Sequence, residues 1–85
     1  MRHHVKVPRL GDTTEQVLIV QWLRNVGDAV AVGQGLLEVE ADKVKVEIPA
    51  PVHGTLVAQL IDADEEVSVG TVVCTIESPE RALQG

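Results

Sequence analysis

The chain has 85 residues, which make one small domain near the lower size limit for a core that folds without disulfides or metals. A formal net charge of −6, from 13 acidic and 7 basic residues, argues against nucleic acid or a membrane surface as a partner, because both bind clustered Lys and Arg. One cysteine, Cys74, excludes an internal disulfide framework and suits a reducing compartment, and neither a signal peptide nor an apolar run of about 18 residues is present.

Valine-rich segments separated by turn residues predict an all-β domain. Hydrophobic residues make up 45% of the chain but include one aromatic residue, Trp22, so Val, Leu, Ile and Ala must build the core, with Trp22 packing at its edge. The predicted strands, in chain order, cover residues 3–7, 17–23, 30–32, 36–41, 44–48, 55–61, 67–69 and 71–77, with Gly, Pro, Asn or Asp between them.

Four residues of types that carry chemistry lack suitable partners in the sequence. His3 and His4 have no carboxylate or cysteine at a usable spacing, so we interpret them as surface residues rather than metal ligands. His53 has no nearby acid or nucleophile and is predicted to be a turn residue. Cys74 lies in a valine-rich strand and is predicted to be a small core residue. The sequence therefore predicts neither a catalytic set nor a metal site.

The segment 38–48 predicts a β-hairpin with Asp42 and Lys43 at its tip. One face of this hairpin is apolar in every cross-strand pair, namely Ala41 with Val44, Val39 with Val46 and Leu37 with Ile48. The other face is charged and places Glu40 opposite Lys45. A slip of one residue would put charges into the core, so this pattern specifies the register and leaves Lys43 at the most projecting point of a tight turn.

The two halves of the chain repeat each other. Most matched positions are 37 apart: Val30–Gly33 with Val67–Gly70, Leu36, Val39 and Glu40 with Val73, Ile76 and Glu77, and Val20 and Leu23 with Val57 and Leu60. The segment 5–8 matches 46–49 at a distance of 41, which assigns four additional residues to the loop 9–16 of the first half. Two such halves predict two four-stranded antiparallel sheets related by a pseudo-twofold axis and packed as a flattened barrel or sandwich. The lysine tip and the chain termini are then expected at opposite ends.

With these features the chain, from about Val5 to Glu77, resembles the lipoyl domain of the 2-oxo acid dehydrogenase acyltransferases. The segments that carry the resemblance are 22–30, 36–44, 48–51 with Gly54, and 67–70. The family pattern at the tip is Glu-Thr-Asp-Lys-Ala, and here Ala41 replaces the Thr and Val44 replaces the Ala. Related biotinyl domains carry Met on both sides of their lysine, so Asp42 and Val44 favour lipoate. A lipoyl domain of residues 1–79 is predicted, followed by a tail or the start of a linker at 80–85.

The resemblance implies a carrier domain that is not an enzyme by itself. Lys43 would hold lipoate as an amide, and Glu40, Ala41, Asp42 and Val44 would form the tip that a lipoate ligase or lipoyl transferase recognises. A thiamine-dependent 2-oxo acid dehydrogenase would acylate the lipoyl group, an acyltransferase catalytic domain would pass the acyl group to coenzyme A, and dihydrolipoamide dehydrogenase would reoxidise the dithiol. The expected location is the cytoplasm of a bacterium or the mitochondrial matrix of a eukaryote.

The loop before the second strand is a further expected contact. In the family it lies near the lysine tip and helps the dehydrogenase to recognise its own domain, so we predict that Arg9, Gly11, Asp12 and Glu15 bind this partner. A tolerated surface insertion is the alternative. For the domain as a whole, the alternatives are a biotinyl carrier and an unmodified interaction module of the same fold, in which Lys43 only keeps the hairpin soluble.

Overall fold

Eight β-strands make up all of the regular structure in the computed structural model, which describes residues 1–11 and 14–79. They are β1 (Arg2–Lys6), β2 (Gln16–Trp22), β3 (Ala29–Val30), β4 (Gly35–Ala41), β5 (Val44–Pro49), β6 (Gly54–Gln59), β7 (Glu66–Ser68) and β8 (Val72–Glu77). A search of these residues for a helix long and apolar enough to cross a membrane finds none.

The strands form two antiparallel sheets of four, in the orders β1-β8-β6-β3 and β5-β4-β2-β7. Apolar side chains from both sheets pack into a single core between them. Its buried members are Val5, Val7, Val17, Ile19, Val30, Leu36, Leu37, Val39, Ile48, Ala50, Leu56, Ile61, Val73, Cys74 and Ile76. Trp22 packs at the edge of this core and donates its ring N–H to the carbonyl oxygen of Ile61 over 3.1 Å. The predicted all-β fold is confirmed.

The pseudo-twofold symmetry is visible in the hydrogen-bonded registers. Ile19 lies opposite Val39 in one sheet, and the residues 37 positions later, Leu56 and Ile76, lie opposite each other in the other sheet. Both strand pairs contain an irregularity directly after this position. Turn geometry repeats as well, since residues 27 and 64 both have positive φ, as do residues 33 and 70.

The match between β1 and β5 corrects the predicted repeat distance of 41. Val5 lies opposite Cys74, whereas Ile48 lies opposite Leu37, which is the counterpart of Cys74. Val5 therefore corresponds to Ile48, at a distance of 43, and the first half carries six additional residues before β2 rather than four. A shift of two residues leaves every side chain on the same face of a strand, so the apolar pattern could not distinguish the two alignments.

Some strand ends also differ from the prediction. The short strand expected at 30–32 is Ala29–Val30, because the chain turns from Ala31 to Gln34 and leaves Val32 63% exposed. The strand expected to reach residue 61 ends at Gln59, and Leu60 is 55% exposed. At both strand ends an apolar residue faces solvent, and the hydrophobic pattern of the sequence does not distinguish such a residue from a buried one.

The prediction placed both chain termini at the end opposite the lysine tip, and the N-terminus lies there, whereas residues 80–85, the predicted tail, lie outside the described residues. The N-terminal ammonium of Met1 donates hydrogen bonds to the Glu77 carboxylate and to the carbonyl oxygen of Ser78. From there β1 runs toward the tip, and Leu10 reaches the surface beside Ala41. The fold thus presents the β4–β5 turn at the end that is remote from the N-terminus.

Candidate functional site

The β4–β5 turn has the geometry of a type I′ hairpin turn. Ala41 pairs with Val44, and the two residues between them, Asp42 and Lys43, have φ values of 53° and 67°. This turn matches the right-handed twist of its strands, but positive φ favours Gly, Asn or Asp and costs other residues about 1 kcal/mol. Lys43 therefore occupies a position where the backbone alone would prefer glycine.

The side chain of Lys43 projects into solvent. Within residues 1–11 and 14–79, no carboxylate comes within ion-pair distance of its ammonium group, since the ion pairs found there join Glu77 to Met1 and Arg2. The predicted pairing of Glu40 opposite Lys45 is confirmed in the register, although these two side chains also form no ion pair in this part of the chain. The amine of Lys43 is thus exposed at the tip of the hairpin.

The loop that precedes β2 braces this turn. Thr14 is buried, at 6% exposure, and its hydroxyl donates a 2.7 Å hydrogen bond to a carboxylate oxygen of Asp42. The backbone N–H of Thr14 in turn donates to the carbonyl oxygen of Gly11 over 3.3 Å. A Cβ on Gly11 would lie 2.9 Å from the Thr14 hydroxyl oxygen, so the absence of a side chain at position 11 makes room for this hydroxyl.

A shallow depression of about 210 Å³ lies beside the turn, lined by Leu10, Ala41, Asp42, Val44 and Val46. The sequence predicted that Val44 would face the core with the other apolar residues of the hairpin, and this is wrong. Val44 is 58% exposed, because the hairpin extends past the end of the core at this point. An apolar side chain is thus held at the surface directly next to Lys43.

The structure brings some of the predicted site residues together. Ala41, Asp42, Lys43 and Val44 form the turn, with half-buried Glu40 one position before it. Of the predicted loop contacts, Gly11 lies next to the turn through Thr14, and Arg9 and Glu15 are exposed on the same loop. Asp12 lies outside the described residues. Sequence reasoning missed Thr14, because one hydroxyl in a polar loop carries no periodic signal.

The remaining reactive residues lie away from the turn. Burial raises the pKa of the Cys74 thiol to about 11, so this side chain stays protonated at neutral pH. Nδ1 of His4 lies 3.2 Å from the Thr75 hydroxyl oxygen, and His53 is exposed in a turn. Among the described residues, no three His, Cys, Asp or Glu side chains are arranged to hold a metal ion.

Comparison with known proteins identifies similar domains. The biotin/lipoyl family model, described as "Biotin-requiring enzyme", matches residues 3–76. The chain is 50% identical over 78 residues to the dihydrolipoyllysine-residue acetyltransferase component of the pyruvate dehydrogenase complex of Corynebacterium glutamicum, which is 92% of this chain and 12% of that protein. It is 43% identical over 72 residues to the dihydrolipoyllysine-residue succinyltransferase component of the 2-oxoglutarate dehydrogenase complex of Bacillus subtilis, which is 85% of this chain and 17% of that protein. The chain thus spans less than a fifth of the length of these relatives.

Proposed function

The chain belongs to the biotin/lipoyl family, and from this membership we propose that it is a lipoyl carrier domain modified on Lys43. The observation that carries the proposal is the placement of one exposed lysine at the second position of a two-residue type I′ turn. Two relatives whose names include dihydrolipoyllysine support lipoate as the attached group. Bound lipoate supplies a dithiolane that accepts an acyl group as it is reduced, a chemistry for which side chains have no equivalent.

The residues of the turn fit a lysine that becomes an amide. Amide formation removes the positive charge of Lys43, and this costs no ion pair among the described residues because the ammonium group has none. The type I′ turn fixes the direction in which the side chain leaves the domain, since its two central φ values are both confined to the left-handed region. The carboxylates of Glu40 and Asp42 give the surface that meets an attaching enzyme a negative charge.

We propose that the attaching enzyme recognises the position of the lysine more than its neighbours. The pairing of Ala41 with Val44 leaves two turn positions, of which only the second carries the amine. Exchanging residues 42 and 43, or residues 43 and 44, keeps the composition of the tip and moves the amine by one position. Both exchanged variants are expected to lose modification, and unchanged modification would refute the proposal that position decides.

The proposed partners are those that the family resemblance implies: a lipoate ligase or lipoyl transferase, a thiamine-dependent 2-oxo acid dehydrogenase, an acyltransferase catalytic domain and dihydrolipoamide dehydrogenase. Relatives named as components of the pyruvate and 2-oxoglutarate dehydrogenase complexes support partners of this kind. Arg9, Gly11, Asp12 and Glu15 are proposed to contact the dehydrogenase, supported by the position of Gly11 next to the turn. Grafting residues 9–15 onto another lipoyl domain is expected to transfer this recognition, and an unchanged rate of reductive acylation would exclude it.

Mass spectrometry of the chain, purified from cells supplied with lipoate, tests the central proposal. The expected result is one lipoyl increment in the intact mass, located on Lys43 by peptide mapping and absent from Lys43→Arg. A biotinyl increment at Lys43 would replace lipoate by biotin and change the reaction that the domain serves. An unmodified Lys43 would overturn the carrier role and leave an interaction module of the same fold.

A further inference from the structure

Thr14 and Thr75 are the two buried polar residues of the described chain, at 6% and 5% exposure. The Thr14 hydroxyl, withdrawn from water, donates to the carboxylate of exposed Asp42 over 2.7 Å. A buried hydroxyl without a partner is destabilising, and a carboxylate is the strongest acceptor that a side chain offers. The contact therefore has a defined acceptor at one end and a fixed donor at the other.

This hydrogen bond acts on a turn that holds one residue in an unfavourable conformation. Asp42 and Lys43 both have positive φ, which Asp tolerates but Lys does not favour. Holding the Asp42 carboxylate restricts the rotation of the first turn residue, and the peptide unit that follows it carries Lys43. The bond spans 28 positions of the chain, so it joins the turn to a separate loop and not to its own hairpin.

The brace exists at one end of a symmetric domain. Val5 corresponds to Ile48, yet six residues between β1 and β2 have no counterpart between β5 and β6. Thr14 lies in the loop that contains this additional length, at the place where the loop approaches the lysine turn. The loop that breaks the symmetry is thus the loop that contacts the turn.

We propose that Thr14 is a positioning residue for the modification of Lys43. Its hydroxyl holds Asp42, and through it the type I′ turn, in the conformation that an attaching enzyme binds. This inference rests on the proposed function, since it assumes that Lys43 is acylated by an enzyme that binds the domain. When a fraction of the domains has a distorted turn, the apparent affinity of the enzyme falls by that fraction, while the rate of the bound complex stays the same.

The test compares three variants of the whole chain. Thr14→Val keeps the shape of the side chain and removes the donor, and Thr14→Ser keeps the donor. Thr75→Val is the matched control, because it removes the other buried threonine hydroxyl. That hydroxyl contacts His4, and both residues lie in the sheet that does not contain the lysine hairpin. KM and kcat for attachment of lipoate by a purified lipoate ligase are measured for each variant. In parallel, NMR measures the hydrogen-exchange rate of the backbone amide of Val44. This residue pairs with Ala41 directly beside the turn.

For Thr14→Val we expect a KM raised about three- to tenfold at unchanged kcat, with faster exchange at Val44. Thr14→Ser should restore the wild-type KM, and Thr75→Val should lower stability without changing either measurement. A wild-type KM and exchange rate in Thr14→Val would overturn the proposal while leaving lipoylation of Lys43 intact. If wild-type chain is not lipoylated, the proposed function fails instead, and the positioning role in modification fails with it even where exchange at Val44 responds to Thr14.

Discussion

Gly54 lies against the backbone of Glu77 so closely that a Cβ at position 54 would overlap the carbonyl oxygen of residue 77. The two residues belong to neighbouring strands, β6 and β8, where Thr55 lies opposite Glu77. The same added atom would also lie 2.9 Å from Cγ2 of buried Ile76. This approach of two backbones is possible only without a side chain.

Gly54→Ala is therefore expected to destabilise the domain by about 2 kcal/mol or more, because backbone atoms cannot rotate away from the clash. Gly35→Ala is the matched control. Its Cβ would meet mainly the carboxylate of exposed Glu47, which can swing into solvent, so the expected loss is below about 1 kcal/mol. Urea denaturation of both variants gives the two values, and equal losses would show that β6 and β8 can separate to admit a methyl group.

Lys43 occupies its turn against the local backbone preference, so Lys43→Gly should raise stability. We expect a gain of about 1 kcal/mol, because glycine adopts a φ of 67° without the steric cost that Lys bears, although its greater freedom in the unfolded chain offsets part of the gain. Lys45→Gly, in β5, is expected to lose a similar amount. Denaturation midpoints of the two variants decide the matter, and a destabilised Lys43→Gly would mean that the Lys43 side chain makes a favourable contact.

The stability that Glu77 contributes to the domain depends on pH. Hydrogen bonds from the N-terminal ammonium, and then from Arg2, lower the pKa of this carboxyl below its ordinary value of 4.5. A carboxyl with a lowered pKa in the folded state stabilises the fold above its unfolded pKa, and this contribution is lost as the pH falls through the folded pKa.

Glu77→Gln is accordingly expected to be less stable than wild type at pH 7, by a small amount because the site is exposed. The difference should shrink as the pH falls from the ordinary pKa of 4.5 through the lowered folded pKa. Denaturation over a series of pH values from 7 downward measures it, with Glu66→Gln as a control that removes one negative charge elsewhere. A difference that does not change with pH would assign the effect to packing of the side chain.

Cys74 should be unreactive in the folded domain. Its thiol is fully buried, and with a pKa of about 11 the thiolate fraction at pH 7 is on the order of 10⁻⁴. We expect alkylation by iodoacetamide only at the rate of unfolding, and rapid alkylation in denaturant. Fast labelling of the native chain would show that β8 opens locally. If labelling is slow, any thiol titrated in the folded, modified domain belongs to the reduced lipoyl group.

The hairpin could be predicted in detail because two independent patterns agree there. Charges on one face and apolar residues on the other allow a single register, and the pairs Leu37–Ile48, Val39–Val46 and Ala41–Val44 are all found. The sign of φ at Asp42 and Lys43 was not predicted, since Asp is common in turns of several types and Lys does not favour a type I′ turn. The exposure of Val44 was missed because hydrophobicity does not show where a strand leaves the core.

Other features have no signature in a single sequence. The match of β1 with β5 was misplaced by two residues, because that shift preserves the inward and outward faces. The contact between Thr14 and Asp42 joins two polar residues of unrelated segments, and only the path of the loop brings them together. Periodic patterns therefore predicted the strands and the tip, whereas the brace on the tip required the folded chain.

The symmetry of the two halves also sets the valency of the domain. The residue 37 positions after Lys43 is Glu80, a carboxylate that no amine-acylating enzyme can use. The two halves of the chain could each have carried a lysine at this position, but only the first half does. If Lys43 carries the acyl group, each domain carries one acyl group per cycle, and the number of acyl groups that an assembly holds equals its number of such domains.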